Sequence, residues 1–253
     1  MIEHHPTAPH GAVAHGTPGQ GAAALEAALD DPVWAALSGP HAHLAEGAGA
    51  GRRYPADVSP FCGLADHDDE RAWRDLAALA GAGSTLLVPA LAGTPPRGFA
   101  VTGVLPGVQL VATPALRTAD LAAVPGGVEL GEEDVPQMLD LVERTQPGPF
   151  LPRTRLLGRY VGVREGGRLL AMAGERLRTG AATEISAVCT DPAARGRGLA
   201  TALVRAVAHG IAARGELPFL HATATNAPAI RLYEAMGFRL RREVGFARVR
   251  LPG

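Results

Sequence analysis

The residues best placed to do chemistry stand in one short run, Arg195-Gly196-Arg197-Gly198-Leu199-Ala200, followed by Thr201. A β-rich stretch precedes this run and a helical pattern follows it. A helix N-terminus presents unpaired backbone N–H groups and a partial positive charge, and a glycine loop lets the backbone approach a ligand closely. Strand, glycine loop and helix therefore make an anion site, for which phosphate is the natural occupant. Gly196 and Gly198 allow the approach, and Arg195 and Arg197 can add charge-assisted contacts. Two other phosphate motifs compete for the segment. The P-loop needs a Lys after its glycines, and the chain has no Lys at all. The dinucleotide fingerprint needs a third spaced Gly and an acidic residue at the end of the next strand, where this chain has Thr223-Ala224-Thr225. Neither fits.

Arg195, Gly198 and Ala200 instead match the pattern Gln or Arg, two residues, Gly, one residue, Gly or Ala. A second group follows at the right distance: Asn226, Ala229, Ile230, Leu232, Tyr233, Glu234 and the pair Gly237-Phe238. Together these resemble the signature of the Gcn5-related (GNAT) N-acetyltransferases over roughly residues 128–250. The phrasing of Thr183–Pro192, TEISAVCTDP, resembles the FR47-like subgroup, with Asp191 where that subgroup often has His.

The resemblance implies a donor and a set of roles. Acetyl-CoA would be the acyl donor. Val188, Cys189 and Thr190 would pair with its pantetheine arm at a splayed strand, Arg195 and the backbone from Gly196 to Thr201 would hold the pyrophosphate, and Asn226 would help fix the donor near its thioester. Glu184 stands eleven residues before Arg195, where several family members carry a catalytic carboxylate, and is the expected base, acting directly or through water. Tyr233, a phenol protonated at neutral pH, is the expected acid toward the departing thiolate. A covalent route through Cys189 is disfavoured, since strand alternation puts it on the face opposite Val188 and Thr190. His221, mid-strand, reads as a hydrogen-bonded structural histidine before it reads as a base.

These groups need a sheet with helices to position them. Periodicity predicts a helix over 132–144, strands over 159–164, 169–177 and 183–190, a helix over 198–214, a strand over 218–223, a helix over 227–236 and a final strand pair around 238–250. Upstream, a helical pattern over 22–37 is broken by Asp31-Pro32, a second helix covers 70–80, and short β runs lie at 85–88, 99–104 and 108–112. The expected fold is a mixed α/β (α+β) GNAT-type sheet at 128–253, a linker at 121–127, a smaller N-terminal α+β domain at 22–120 and a mobile tail at 1–21. The N-terminal domain is read as a degenerate relative of the same fold that covers the sheet or one wall of the acceptor site.

Composition sets the remaining bounds. A chain of 253 residues, 47% hydrophobic and 19% charged, supports one large core or two modest ones. No apolar run reaches the roughly 20 residues of a membrane span, so the expectation is a cytoplasmic protein with no membrane partner. The net charge of -1 argues against a nucleic-acid partner. Residues 1–120 hold only 6 of the 24 basic residues, so the basic half is the half with the motif. His4, His5, His10 and His15 lack fixed spacing and acidic or thiol partners, so no metal is expected. Cys62 and Cys189 are read as free thiols. A homodimer is left open. The expected activity is acetyl transfer to a primary amine by direct attack in a ternary complex, set against a non-catalytic acyl-CoA-binding or sensor protein.

Overall fold

The computed structural model describes residues 18–253. The expected tail up to residue 17, with its four histidines, lies outside the described residues. Helix α1, Pro18–Asp30, gives way to α2, Pro32–Ser38, at the Asp31-Pro32 step. Asp31 Oδ1 accepts a hydrogen bond from Trp34 N at 2.9 Å, and Pro32 occupies the first turn, where a missing N–H costs nothing. Strands β1, Gly51–Arg53, and β2, Cys62–Leu64, form a small antiparallel pair. Helix α3, Glu70–Ala80, is capped by the Asp69 side chain and buries Ala72, Trp73 and Leu76 on one stripe.

The remaining strands are β3, Thr85–Pro89; β4, Ala100–Ala112; β5, Gly127–Glu129; β6, Tyr160–Glu165; β7, Arg168–Arg178; β8, Ala182–Thr190; β9, Leu217–Thr223; and β10, Phe238–Arg250. The helices among them are α4, Val135–Thr145; α5, Leu199–Ala213; and α6, Ala227–Met236. All eight strands join one sheet in the order β3-β10-β4-β9-β8-β7-β6-β5. Every neighbouring pair is antiparallel except β8 and β9, whose parallel pairing needs the crossover that α5 provides. The fold is the expected mixed sheet with helices on both faces.

Two element expectations are corrected. The final strand pair is a single long strand, β10, with a register slip between Leu240 and Arg242 that the sequence pattern mimics as a break. The runs at 99–104 and 108–112 are also one strand, β4, which continues through Pro106-Gly107. Pairing of β4 with β9 begins only at Gly107, where a Cβ would stand 2.7 Å from the Phe246 ring. That proximity admits glycine without ending the strand.

Helices α5 and α6 bury Leu203, Val204, Val207, Ile211, Tyr233 and Met236 on one face of the sheet. On the other face, α1 and α2 pack Leu29, Val33 and Leu37 against Leu177 and Phe219, while α4 packs Met138 and Leu141 against Tyr160 and Met172. Leu220 and Phe219 fall in opposite layers, as a period of two demands.

Candidate active site

The site begins where β8 and β9 part. Their parallel pairing covers only Ala182–Ile185 against Leu217–Leu220, so Ser186–Thr190 have no partner on that side. On the other side, Met172 pairs with Cys189 and Gly174 with Ser186, which leaves one extra residue in β8. Ala187, within this bulge, has φ +52°. A left-handed alanine costs about 1–2 kcal/mol, and the bulge bends the strand away from β9. The outcome is a cleft with the backbone of Val188, Cys189 and Thr190 along one side. Thr190 Oγ1 is buried there without a hydrogen-bond partner in the protein.

Past Thr190, Asp191 Oδ1 accepts from Ala193 N at 2.9 Å and turns the chain toward α5. Gly196 and Gly198 have φ +78° and +74°, values that favour glycine, and Gly198 is the N-cap of α5 without a side-chain cap. The first-turn N–H groups of Leu199–Thr201 are thus left to an outside acceptor. Arg195, Gly196, Gly198, Leu199, Ala200 and Thr201 line a hollow of about 260 Å³ with Thr190 and Leu232. Arg197 points elsewhere, to an ion pair with Glu165 at the end of β6. The lining suits a phosphate group, and Arg195 is the arginine that lines the hollow.

Helix α6 forms the opposite side of the cleft. Asn226 caps it, its Oδ1 accepting from Ala229 N at 3.2 Å, and Gly237 at φ +105° ends it. Tyr233 lies edge-on to Phe238 with centroids 6.1 Å apart. Burial, and then the neighbouring Cys189, push its phenol up to about 12, so it keeps its proton. Cys189 itself is pushed up to about 11 by burial, against the lowering hydrogen bond of Thr145. It packs with Met138, Leu141 and Phe150, whereas Val188 packs on the α5 side, so the alternation expected of these two residues is present.

A second, larger cavity of about 1020 Å³ runs from Thr190, Asn226 and Tyr233 to a far wall containing Phe61, Leu87, Leu105, Phe246 and Arg248. Glu184 lies beside it and is 0% exposed. Arg176 Nη2 and Nε donate to its Oε1 and Oε2 at 2.6 and 2.8 Å. Burial alone would raise the Glu184 carboxyl, but the Arg176 charge and hydrogen bonds, followed by the hydrogen bond of His221, outweigh it and hold the group at about 2.

His221 Nδ1 lies 2.7 Å from Glu184 Oε1, and its Nε2 lies 3.2 Å from Gln109 Nε2. Gln109 is pinned at both ends: its amide N–H donates to Leu29 O at 2.8 Å, and its Oε1 accepts from Arg241 Nη1 at 2.9 Å. The amide nitrogen therefore faces His221 as a donor, which makes Nε2 the acceptor and places the ring proton on Nδ1, toward Glu184. Both ring nitrogens are engaged, and the ring also lines the cavity. Arg176, Gln109 and the far wall escaped the sequence reading. An arginine inside the apolar run of β7 was a usable signal for Arg176, but Gln109 and Arg248 meet their partners only through the sheet order.

The model of the family described as FR47-like protein matches residues 160–247. A crystal structure of an acetyltransferase of the GNAT family from Novosphingobium aromaticivorans is 42% identical, with a TM-score of 0.78 over 89% of this chain and 99% of that one. A GCN5-related N-acetyltransferase from Kribbella flavida has a TM-score of 0.58 over 88% of this chain and 96% of its own, at 18% identity, which is a likeness of fold. No curated protein matches the chain.

Proposed function

The chain belongs to the GNAT family of acetyltransferases, and on that premise we propose that it transfers an acetyl group from acetyl-CoA to a primary amine by direct attack within a ternary complex. The observation that carries this reading is the adjacency of two hollows: the one at the uncapped N-terminus of α5 and the one that holds the unpaired β8 edge and the Tyr233 phenol share Thr190, Arg195 and Leu232 in their walls. In this reading the β8 backbone at Val188–Thr190 aligns the amide-bearing arm of the donor, and Arg195 with the N–H groups of Gly196–Thr201 neutralises its pyrophosphate. Asn226 keeps α6 in place beside it.

Attack of the amine nitrogen on the thioester carbonyl forms a C–N bond and breaks the C–S bond. Tyr233 supplies the proton that the leaving thiolate takes, a role suited to a phenol held protonated. Glu184 belongs to the proton path as its fixed negative end. With both oxygens engaged by Arg176 and His221 and no exposed surface, it acts through its charge, favouring positive charge on the attacking nitrogen, while the nitrogen's proton leaves through water in the cavity and Tyr233 regains its own from that water.

Thiol release from acetyl-CoA, measured with a panel of primary amines and paired with mass detection of the acetylated acceptor, tests the reading. Turnover with any acceptor supports it. Tight acetyl-CoA binding with no turnover across all acceptor classes would favour the non-catalytic binding module instead.

A further inference from the structure

The far wall of the large cavity is built by chain remote from the motif. Strands β3, β10 and β4 continue beyond the reach of β9, because β4 pairs with β9 only over Gly107–Val111 but with β10 from Ala100 to Ala112. One face of this three-stranded extension packs on α3 through Leu86, Val88, Ala247 and Val249. Alternation turns Leu87, Phe246, Arg248 and Leu105 toward the cavity. Phe61, bridged to Leu87, stacks on Phe246 with centroids 6.3 Å apart and an interplanar angle of 25°. Leu105 is 54% exposed there, apolar surface that a bound molecule would cover.

The charges on this wall are unequal. Arg176 lies 4.8 Å from the Phe61 ring centroid, but its charge is matched by Glu184. Arg248 stands in register between Leu87 and Gly103, and its guanidinium lies across Gly103, where a Cβ would come within 3.3 Å of Nη2. It makes no ion pair among the described residues, although it lines the cavity. The acceptor end thus combines an apolar, partly aromatic surface with one unmatched positive charge, and the carboxylate beside it, Glu184, is already spent on Arg176.

We propose that the acceptor is a primary amine on an apolar or aromatic body that also carries a carboxylate, with the body lying on Phe61, Phe246 and Leu105 and the carboxylate on Arg248. This inference rests on the acetyltransferase reading above and adds the class of substrate. Polycationic amines are the class that the wall repels, since a second ammonium would face Arg248 with no acidic residue to receive it.

The test uses matched acceptors at saturating acetyl-CoA: phenylalanine against phenethylamine, 4-(aminomethyl)benzoate against benzylamine, and spermidine. The expected result is a kcat/KM about tenfold or more higher for the carboxylate-bearing member of at least one pair, carried mainly in KM, with spermidine poorest. Arg248→Gln is expected to erase that preference while leaving acetyl-CoA affinity unchanged, and Arg248→Lys to restore part of it. Equal use of both members of each pair, a preference for spermidine, or a preference that survives Arg248→Gln would overturn the inference while the acetyltransferase reading stands. Failure to bind acetyl-CoA at all would overturn both.

Discussion

Arg176 and Glu184, on the adjacent strands β7 and β8, grip each other through two hydrogen bonds of 2.6 and 2.8 Å, and the carboxylate has no exposed surface. The pair holds the Glu184 carboxyl, the expected base, well below the usual carboxylate range. Its consequences can be separated by experiment.

Removing Arg176 leaves a buried carboxylate without its counter-charge. Arg176→Met is expected to lower unfolding stability by about 3–5 kcal/mol, read by urea denaturation near neutral pH. The double variant Arg176→Met, Glu184→Gln should recover part of that loss. Because the Glu184 carboxyl is held at about 2, below the usual carboxylate range, its stabilisation is complete above that range and fades as pH falls toward 2. Stability of the native protein should therefore decline on acidification more than that of Glu184→Gln. Parallel declines would contradict the assigned ionisation.

The same ionisation shapes the rate. A group protonated only near pH 2 cannot set a limb at higher pH, so the rise of kcat/KM with pH should track the pKa of the acceptor amine. Two acceptors of different basicity should shift the limb accordingly. Glu184→Gln should lower the rate about tenfold to a hundredfold with the limb unmoved. An enzyme limb that is independent of acceptor and vanishes in this variant would restore Glu184 as a titrating base.

Tyr233→Phe keeps the ring on Phe238 and removes only the proton donor. The expected effect is a fall in kcat of about a hundredfold or more, with acetyl-CoA affinity and stability nearly unchanged. In the native enzyme no activity should be lost to phenol ionisation below about pH 11, since Tyr233 is pushed up to about 12. Full turnover by Tyr233→Phe would end the assignment.

Gly198→Ala tests the anion site. A Cβ there meets no protein atom within 4 Å, so the folded protein bears only the backbone cost of φ +74°, about 1–2 kcal/mol. A larger change is expected in donor affinity, about tenfold weaker by calorimetry, because the methyl group stands where backbone must approach phosphate. Unchanged affinity would place the pyrophosphate elsewhere.

Much of the strand, glycine loop and helix unit was legible in the chain. The glycine spacing at 196 and 198, the helical period after it and the Asn226–Phe238 run are local features, and the structure retains them as α5, opened by Gly198, and α6, capped by Asn226. Boundaries drifted by a few residues, and the strand break at Pro106-Gly107 was misread because proline and glycine end most strands. Here glycine is required by the nearby Phe246 ring, a neighbour 139 positions away in sequence.

The sequence by itself therefore determined the family pattern, the phosphate-type loop and the residues Tyr233 and Glu184 as chemical candidates, since each depends on residue type and short-range spacing. Only the tertiary structure decided what surrounds them. The order β3-β10-β4-β9-β8-β7 brings Gln109 to His221, Arg176 to Glu184, and Leu87 and Leu105 beside Phe246 and Arg248, and the bridge from Leu87 adds Phe61 to that wall. Strand pairing joins residues regardless of their separation along the chain. The ionisation of Glu184 and the character of the far wall are consequently properties of the sheet, not of any segment within it.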